Sequence, residues 1–488
     1  MKQHEVWSFV HTLDKSNFAK GLENNNGQVR KLTVQRIGVM RDTAEIPRLI
    51  EALRQECDED VEDEIIKALT RMGEPAVLLL MQGLTDENED IRRVSADGLG
   101  CIGCVAAIKN LCIATGDPNP RVRKAAVQAL GFIGILNDEV EATILTCLDD
   151  ENKVVVQYAA YASGDLGCTA AVSRLISLLD DVKPNVQRAI IQILGDIGDD
   201  RATDKLGQLL IRKDCPDDTD FTVDTSETGE DIIDALGKIA DPRAVQPLMQ
   251  ALIYYITCDD DTQESDTEDG YKTIRADEQE PSRSSEIPES IFNAFNRIGK
   301  PAIPLLIETL REWADDEECS DDPCECTCCS ISVASEISFI LNGFGSSGID
   351  AVLNLLNDEK VSVRKLAVKF FSEEHLNEQR VLDALITCMI TDSDKKVKTL
   401  AAYRLADGGQ KSFEAIVSAL KQLHRPFTEA EKEAIRFIGT EALSSLTRAL
   451  DEHDVEKRCI VLDAFQELIK SSPKSRRMEA LEAFWLSK

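Results

Sequence analysis

The sequence predicts an all-α chain, a right-handed α–α superhelix of about 13 stacked helical hairpins. Three observations lead there. A pattern of the form V-R-x-x-A-x-x-A-L-G-x-I-G recurs at a spacing of about 31 residues. Hydrophobic residues make up 43% of the 488 positions but aromatics only 5%, so the apolar content is Ala, Leu, Ile and Val, the residues that close helix-on-helix packing uses. Glycine recurs at corresponding places in successive copies, where helices stop.

The clearest copies are VRKAAVQALGFIG (Val122 to Gly134) and IRRVSADGLGCIG (Ile91 to Gly103). The same frame fits segments starting at Val29, Val61, Val155, Val186 and Val333, with weaker copies near Thr228, Ile287, Val363, Val397, Phe427 and Val455. Within each copy the apolar positions fall at helical spacing, and the last glycine is suited to a left-handed helix C-cap. A second amphipathic helix then follows, as in AVLLLMQGL after Gly73, AVSRLISLL after Gly167, AVQPLMQALI after Ala240 and AIPLLIETL after Gly299. Pro47, Pro75, Pro247 and Pro304 fall in or near its first turn, where the early amide donors have no partner inside the helix.

One acidic position also recurs, five residues before the Val of the following copy: Asp86, Asp117, Asp150, Asp181, Asp358 and Asp392. A basic residue follows the Val at Arg30, Arg92, Arg123, Arg364 and Lys398. Together they predict a ladder of ion pairs running from unit to unit, with the aspartates also acting as short acceptors in a turn.

These residues resemble the HEAT-like repeat of the phycobilisome-lyase (PBS lyase) type, and the resemblance runs over nearly the whole chain. It implies an armadillo-like α-solenoid. Its function is not implied by the fold, although HEAT arrays in general resemble scaffolds and adaptors. Two enzymatic members of this broad class bear on the residues. Deoxyhypusine hydroxylase depends on several His-Glu pairs; this chain has one, His4-Glu5, outside the array. Phycobilin lyases attach tetrapyrroles without a simple catalytic signature, so a lyase-like attachment factor is one alternative function.

The frame divides the chain into an N-terminal capping helix region (1–28), regular repeats (29–211), repeats carrying three insertions (212–330), and C-terminal repeats with a cap (331–488). By register all three insertions follow a second helix and emerge from one edge. The first, Arg212 to Glu230, and the second, Cys258 to Glu286, are rich in Asp, Glu, Ser and Thr with few apolar anchors, and alone should be disordered. Asp259, Asp260, Asp261, Asp266, Glu268 and Asp269 offer hard oxygens to Ca²⁺, but not in the spacing of an EF-hand.

The third insertion, DDEECSDDPCECTCCS (Asp315 to Ser330), is the sharpest chemical signal. Five thiols, Cys319, Cys324, Cys326, Cys328 and Cys329, lie within eleven residues and can supply the four soft ligands of tetrahedral Zn²⁺, with Cys215 and Cys258 in the adjacent loops. The spacing is not that of a zinc ribbon, and the surrounding carboxylates raise thiol pKa values. A metal site, a redox switch and a loop without inorganic role all fit. Cys101-x-x-Cys104 lies at the glycine-rich end of a repeat, where other units have small or apolar residues, and Cys57, Cys112, Cys147, Cys168, Cys388 and Cys459 read as core or hairpin residues.

The formal charge of −33 repels nucleic acid and anionic membrane and suits a partner with a basic surface. The basic clusters, Arg121, Arg123 and Lys124 and then Lys470, Lys474, Arg476 and Arg477, form no long stripe. There is no P-loop, dinucleotide fingerprint, G-x-S-x-G or H-E-x-x-H. The first residues lack a secretory pattern and no stretch is long enough for a membrane span, so a cytoplasmic protein is expected. The expected function is therefore a non-catalytic protein-binding scaffold, with a metal- or cofactor-handling role for the cysteine loop as the alternative.

Overall fold

The computed structural model describes residues 17–56, 58–180, 182–212, 222–257, 289–315 and 333–408, with 411, 412, 415, 416 and 419. They fall into two compact units, one running to residue 248 and including 289–297, the other made of the rest.

The first unit opens with a short helix α1 (Phe18–Leu22) and then alternates repeat-motif helices with second helices. The motif helices are α2 (Gly27–Met40), α4 (Glu59–Met72), α6 (Glu89–Ile102), α8 (Pro120–Ile133), α10 (Lys153–Asp165), α12 (Pro184–Ile197), α14 (Glu227–Ile239) and α16 (Glu289–Ile298). Between them come α3 (Ile46–Leu53), α5 (Glu74–Gly83), α7 (Ile108–Ala114), α9 (Asp138–Cys147), α11 (Val172–Leu178) and α13 (Thr203–Leu210), while α15 (Val245–Thr257) starts in this unit and from residue 249 belongs to the second. The second unit continues with α17 (Ile303–Glu312), α18 (Val333–Gly343), α19 (Ser346–Leu355), α20 (Val361–Phe370), α21 (Gln379–Thr391) and α22 (Lys395–Asp407). The all-α hairpin architecture is as the sequence predicts; the units expected at Phe427 and Val455 lie outside the described residues.

Local signals set the boundaries. Asn88, Asn119 and Asn152 cap α6, α8 and α10, each accepting from the backbone N–H two residues on. At the other end Gly103, Gly134 and Gly198 take φ of 71°, 72° and 72° as left-handed caps. Arg41 and Ala240 fill the same role at φ 49° and 56° without glycine.

Five motif helices stack closely on the next because a second glycine in the motif has no side chain. A Cβ added to Gly100 would lie 2.6 Å from the Cα of Ala129, and one on Gly131 would lie 3.1 Å from the Cα of Ala162. Gly38 on Ala68, Gly195 on Ala235 and Gly237 on Ala294 repeat the arrangement. The A-L-G step thus works in both directions: its Ala receives the preceding helix's Gly, and its Gly rests on the following helix's Ala. Between the two layers the leucines and isoleucines are buried, among them Leu99, Leu111 and Leu130.

One expectation needs correction. The ends of the first insertion are ordered: β1 (Ile211–Arg212) pairs antiparallel with β2 (Thr222–Val223), and Asp224 N–H donates to the Leu210 carbonyl. The physical reason is an apolar anchor at each end, Ile211 and Val223, both buried. By Glu227 the chain has already entered α14.

Candidate protein-docking face

The predicted ladder exists, and it is structural. Arg92 donates from Nε and Nη2 to the two oxygens of Asp117 at 2.7 and 3.1 Å, and from Nη1 to the Asp86 and Glu87 carbonyls. Arg123 treats Asp150 the same way, at 2.8 Å to each oxygen, and also reaches the Asp117 and Pro118 carbonyls. In the second unit Arg364 repeats this with Asp392 and the carbonyls of Asp358 and Glu359. Arg30 finds Glu56 where an Asp was expected. Each acceptor also takes a backbone N–H two residues on, as Asp150 does from Asn152, so the aspartate fixes the turn that leads into the next capped helix.

Burial alone would raise the Asp150 carboxyl, but the Arg123 and Asn152 hydrogen bonds outweigh it and hold it below the usual carboxylate range. Asp392 behaves alike, with Arg364 and Asp394 as donors. In two motifs that lack the arginine, another cation substitutes. Glu62 stands at that position in α4 and Ala334 in α18; there Arg54 and Arg311, from the preceding second helices, bind Asp86 and Asp358. Lys398 donates instead to the Ile390 carbonyl, and Asp181 lies outside the described residues.

With ladder and core accounted for, the outward row of the motif helices stands out. In α4, α6, α8, α12 and α14 one outward position holds Lys67, Asp97, Gln128, Gln192 and Asp234; in α10 it holds Tyr161. One turn further on, where α4, α10, α12 and α14 carry Arg71, Asp165, Asp196 and Lys238, α8 carries Phe132, 56% exposed. The neighbouring α6 places exposed Cys101 there, and Val105 and Leu136 follow the capping glycines of α6 and α8 by two residues. Ile135, beside Leu136, is also exposed.

The tyrosines are held in place. Tyr158 and Tyr161 meet edge to face at 5.7 Å, the Lys124 ammonium lies 4.3 Å over the Tyr158 ring, and Gln157 donates to the Tyr161 hydroxyl at 2.8 Å. Of the basic triplet Arg121, Arg123 and Lys124, Arg123 is therefore in the ladder and Lys124 on an aromatic ring. Composition does not point to these aromatics, because aromatic residues make up only 5% of the chain. The signal that finds them is the repeat alignment, which shows apolar rings at positions that are elsewhere polar.

The thiols are placed as follows. Cys147, Cys168 and Cys388 are buried, Cys104 and Cys112 half-buried. Burial pushes Cys147 up to about 11 and, with the Asp392 charge added, Cys388 up to about 12, so neither is a reactive thiolate. Burial and the Asp97 carboxylate likewise raise Cys101. The candidate zinc ligands Cys319, Cys324, Cys326, Cys328 and Cys329, the adjacent Cys215 and Cys258, and the acidic Ca²⁺ candidates all lie outside the described residues. Among the described residues no cluster of three or more His, Cys, Asp or Glu is arranged to hold a metal, and no helix is long and apolar enough to cross a membrane.

Comparison with known proteins matches residues 77–160 and 141–219 to HEAT repeats and residues 230–254 to the PBS lyase HEAT-like repeat. None of the curated proteins is similar to the chain at a significant level. Among solved structures it is similar to the Escherichia coli protein YIBA, at 17% identity over 61% of this chain and 97% of that one, with a TM-score of 0.41. It is also similar to the karyopherin Kap121p, in a structure bound to the extreme C-terminus of the protein phosphatase Cdc14p, at 13% identity over 98% of this chain and 51% of that one (TM-score 0.42). A chain from a study of the interaction between cadherin and beta-catenin matches at 11% identity over 94% of this chain and 100% of that one (TM-score 0.35). Its described residues thus form an all-α hairpin array, and the chain carries HEAT repeats over residues 77–219 and a PBS lyase HEAT-like repeat over 230–254.

Proposed function

We propose that this chain is a non-catalytic scaffold of the cytoplasm that binds another polypeptide through the outward row of its motif helices. The observation that supports this is the run of exposed apolar groups on consecutive repeats, Cys101 and Val105, then Phe132, Ile135 and Leu136, beside the fixed Tyr158–Tyr161 pair. Aromatic rings held by their neighbours present large contact area at little entropic cost and are enriched at protein interfaces. The occupant is a segment of a partner protein with an apolar anchor, because the rings and methyl groups at the centre of the row offer it few charges to pair with.

A photo-crosslinking amino acid at position 132 tests this in cells of the source organism, with position 78 as control. Leu78 is 74% exposed but lies on second helix α5, away from the outward row of the motif helices. The scaffold reading expects a defined polypeptide crosslinked from position 132, lost on Tyr161→Ser, and not obtained from position 78. Equal, diffuse crosslinking from both positions would overturn it.

A further inference from the structure

The second unit contains a cleft of about 370 Å³ between second helices α19 and α21, with the Arg364–Asp392 pair at its floor. Its hydrogen-bonding character is one-sided. All five N–H groups of Arg364 are engaged: Nε and Nη2 on Asp392, Nη2 also on Ser393 Oγ at 3.4 Å, and Nη1 on the Asp358 and Glu359 carbonyls. The Thr387 hydroxyl donates to the Asp383 carbonyl at 2.7 Å and the Thr391 hydroxyl to the Thr387 carbonyl at 2.8 Å. The Cys388 thiol donates to Asp392 Oδ2 at 3.8 Å. What remains for a visitor is lone pairs on the Thr387 and Thr391 hydroxyls and on Asp358, which otherwise takes Arg311 and the Lys360 N–H, while Asp392 is filled by Arg364, the Asp394 N–H and the Cys388 thiol. The side-chain donors that remain on the lining are the Asn357 amide and the Ser393 hydroxyl, and each of these also carries an acceptor.

The helix ends add to this, and the cations nearest the lining are themselves committed, Arg311 to Asp358 and Lys398 to the Ile390 carbonyl. Helix α19 ends at Leu355 and α21 at Thr391, so both C-termini, the negative ends of their dipoles, border the cleft. The chain as a whole carries −33. An anion meets an arginine with no donor to give it. A ligand that brings several N–H donors and a positive charge meets the opposite situation, and Leu353, Leu356 and Ala384 supply an apolar wall for the methylene stem behind such a head.

We propose that the α19–α21 cleft is a recognition pocket for the guanidinium or ammonium side chain of an arginine or lysine on a partner polypeptide. It is separate from the row around Phe132 and does not depend on it. Free polyamines share the head-group chemistry but lack the flanking backbone, which lets the two sources be told apart.

The test uses the full chain and ligand-observed NMR with four probes: acetyl-arginine amide, acetyl-citrulline amide, a glycine-flanked arginine peptide and spermidine. Citrulline keeps the shape of arginine without its charge. The proposal expects the arginine amide to bind and the citrulline amide to bind about tenfold or more weakly, the loss that removing charge-assisted hydrogen bonds brings. It expects the flanked peptide to bind at least as tightly as spermidine. Ala384→Phe, which fills the cleft from an incompletely buried position of α21, should abolish binding, and the paired Thr387→Val and Thr391→Val changes, which keep shape but remove two acceptors, should weaken it severalfold. Equal binding of the citrulline amide, no binding of the arginine amide, or binding that survives all these substitutions overturns the pocket; preference for spermidine over the peptide overturns its assignment to a partner's side chain. Crosslinking from position 132 is indifferent to these outcomes.

Discussion

Within the first unit, the repeats of α6 to α9 and those of α10 to α14 share a backbone plan but are tied together differently. In the first group each motif arginine is sealed: Arg123 and Asp150 keep only 9% and 11% of their side-chain surface, and Arg92 and Asp117 only 14% and 8%. In the second group Val156 and Gln187 occupy the arginine's place. Gln187 still reaches a carbonyl, that of Leu179 at 2.9 Å, but carries no charge across to the next unit. The ties there are more exposed: Arg188 of α12 donates to Asp231 of α14 at 2.6 Å, Lys238 to Asp196 at 2.8 Å, and others lie at the opposite end of the motif helices. Arg201 reaches the Thr169 carbonyl of the preceding turn, and Arg243 reaches the Asp200 carbonyl and Asp204. Both are open to solvent, 46% and 45% exposed. The difference teaches that a solenoid tolerates loss of its buried ladder where surface pairs and core packing remain. The β1–β2 ribbon, the base of an insertion, leaves the stack in this same stretch.

The largest expected effect breaks the sealed ladder. Arg123→Met leaves Asp150 a buried, unpaired charge and should cost about 3–5 kcal/mol in a urea melt of the full chain. A loss no larger than that of an exposed pair would show that the ladder does not distinguish the two groups of repeats.

Next comes the close stacking common to both. Gly100→Ala drives a methyl group onto the Ala129 backbone and should destabilise by about 1–3 kcal/mol. Gly98→Ala, on the same helix, meets only the movable Leu80 side chain at 3.2 Å and should be neutral or gain up to about 1 kcal/mol of helix propensity. The order of the two melting temperatures checks this.

Acid should then reveal the ladder selectively. The Asp150 and Asp392 carboxyls are held below the 3.8 of the free side chain, so their contribution is complete above about pH 3.8 and disappears as the pH falls through their lower folded values. Asp150→Asn should therefore be less stable than the parent at neutral pH, and the gap between them should close below pH 3.8. A constant gap across that range would mean that the carboxylate's charge is not what matters.

The smallest effect belongs to the exposed ties. Asp204→Asn should leave the melting curve unchanged within its scatter, because its pair with Arg243 is open to solvent on both sides, at 63% and 45% exposure.

Much of this molecule was legible in its residues. The spacing of apolar positions gave the hairpins, the capping glycines their ends, and the alternation of Asp and Arg the ladder from Arg92 to Asp150, since each depends on contacts within a helix or at a fixed repeat offset. The outward aromatic row was not legible in composition, because Phe132, Tyr158 and Tyr161 are unremarkable until the repeats are aligned and the outward side is known. The cleft beside Cys388 was hidden for a related reason. Its character depends on which N–H and O–H groups are already engaged, and sequence lists donors without saying where they point.

By itself, then, the sequence determined a periodic all-α stack, because local helix signals and a fixed repeat length suffice for that. Only the tertiary structure decided that the glycine inside each A-L-G step is a contact rather than a cap. It also decided that Arg54 and Arg311 replace missing ladder arginines, and that Ile211 and Val223 pin the base of an insertion. Those outcomes turn on the distance between neighbouring helices and the reach of individual side chains, which repeat spacing does not contain.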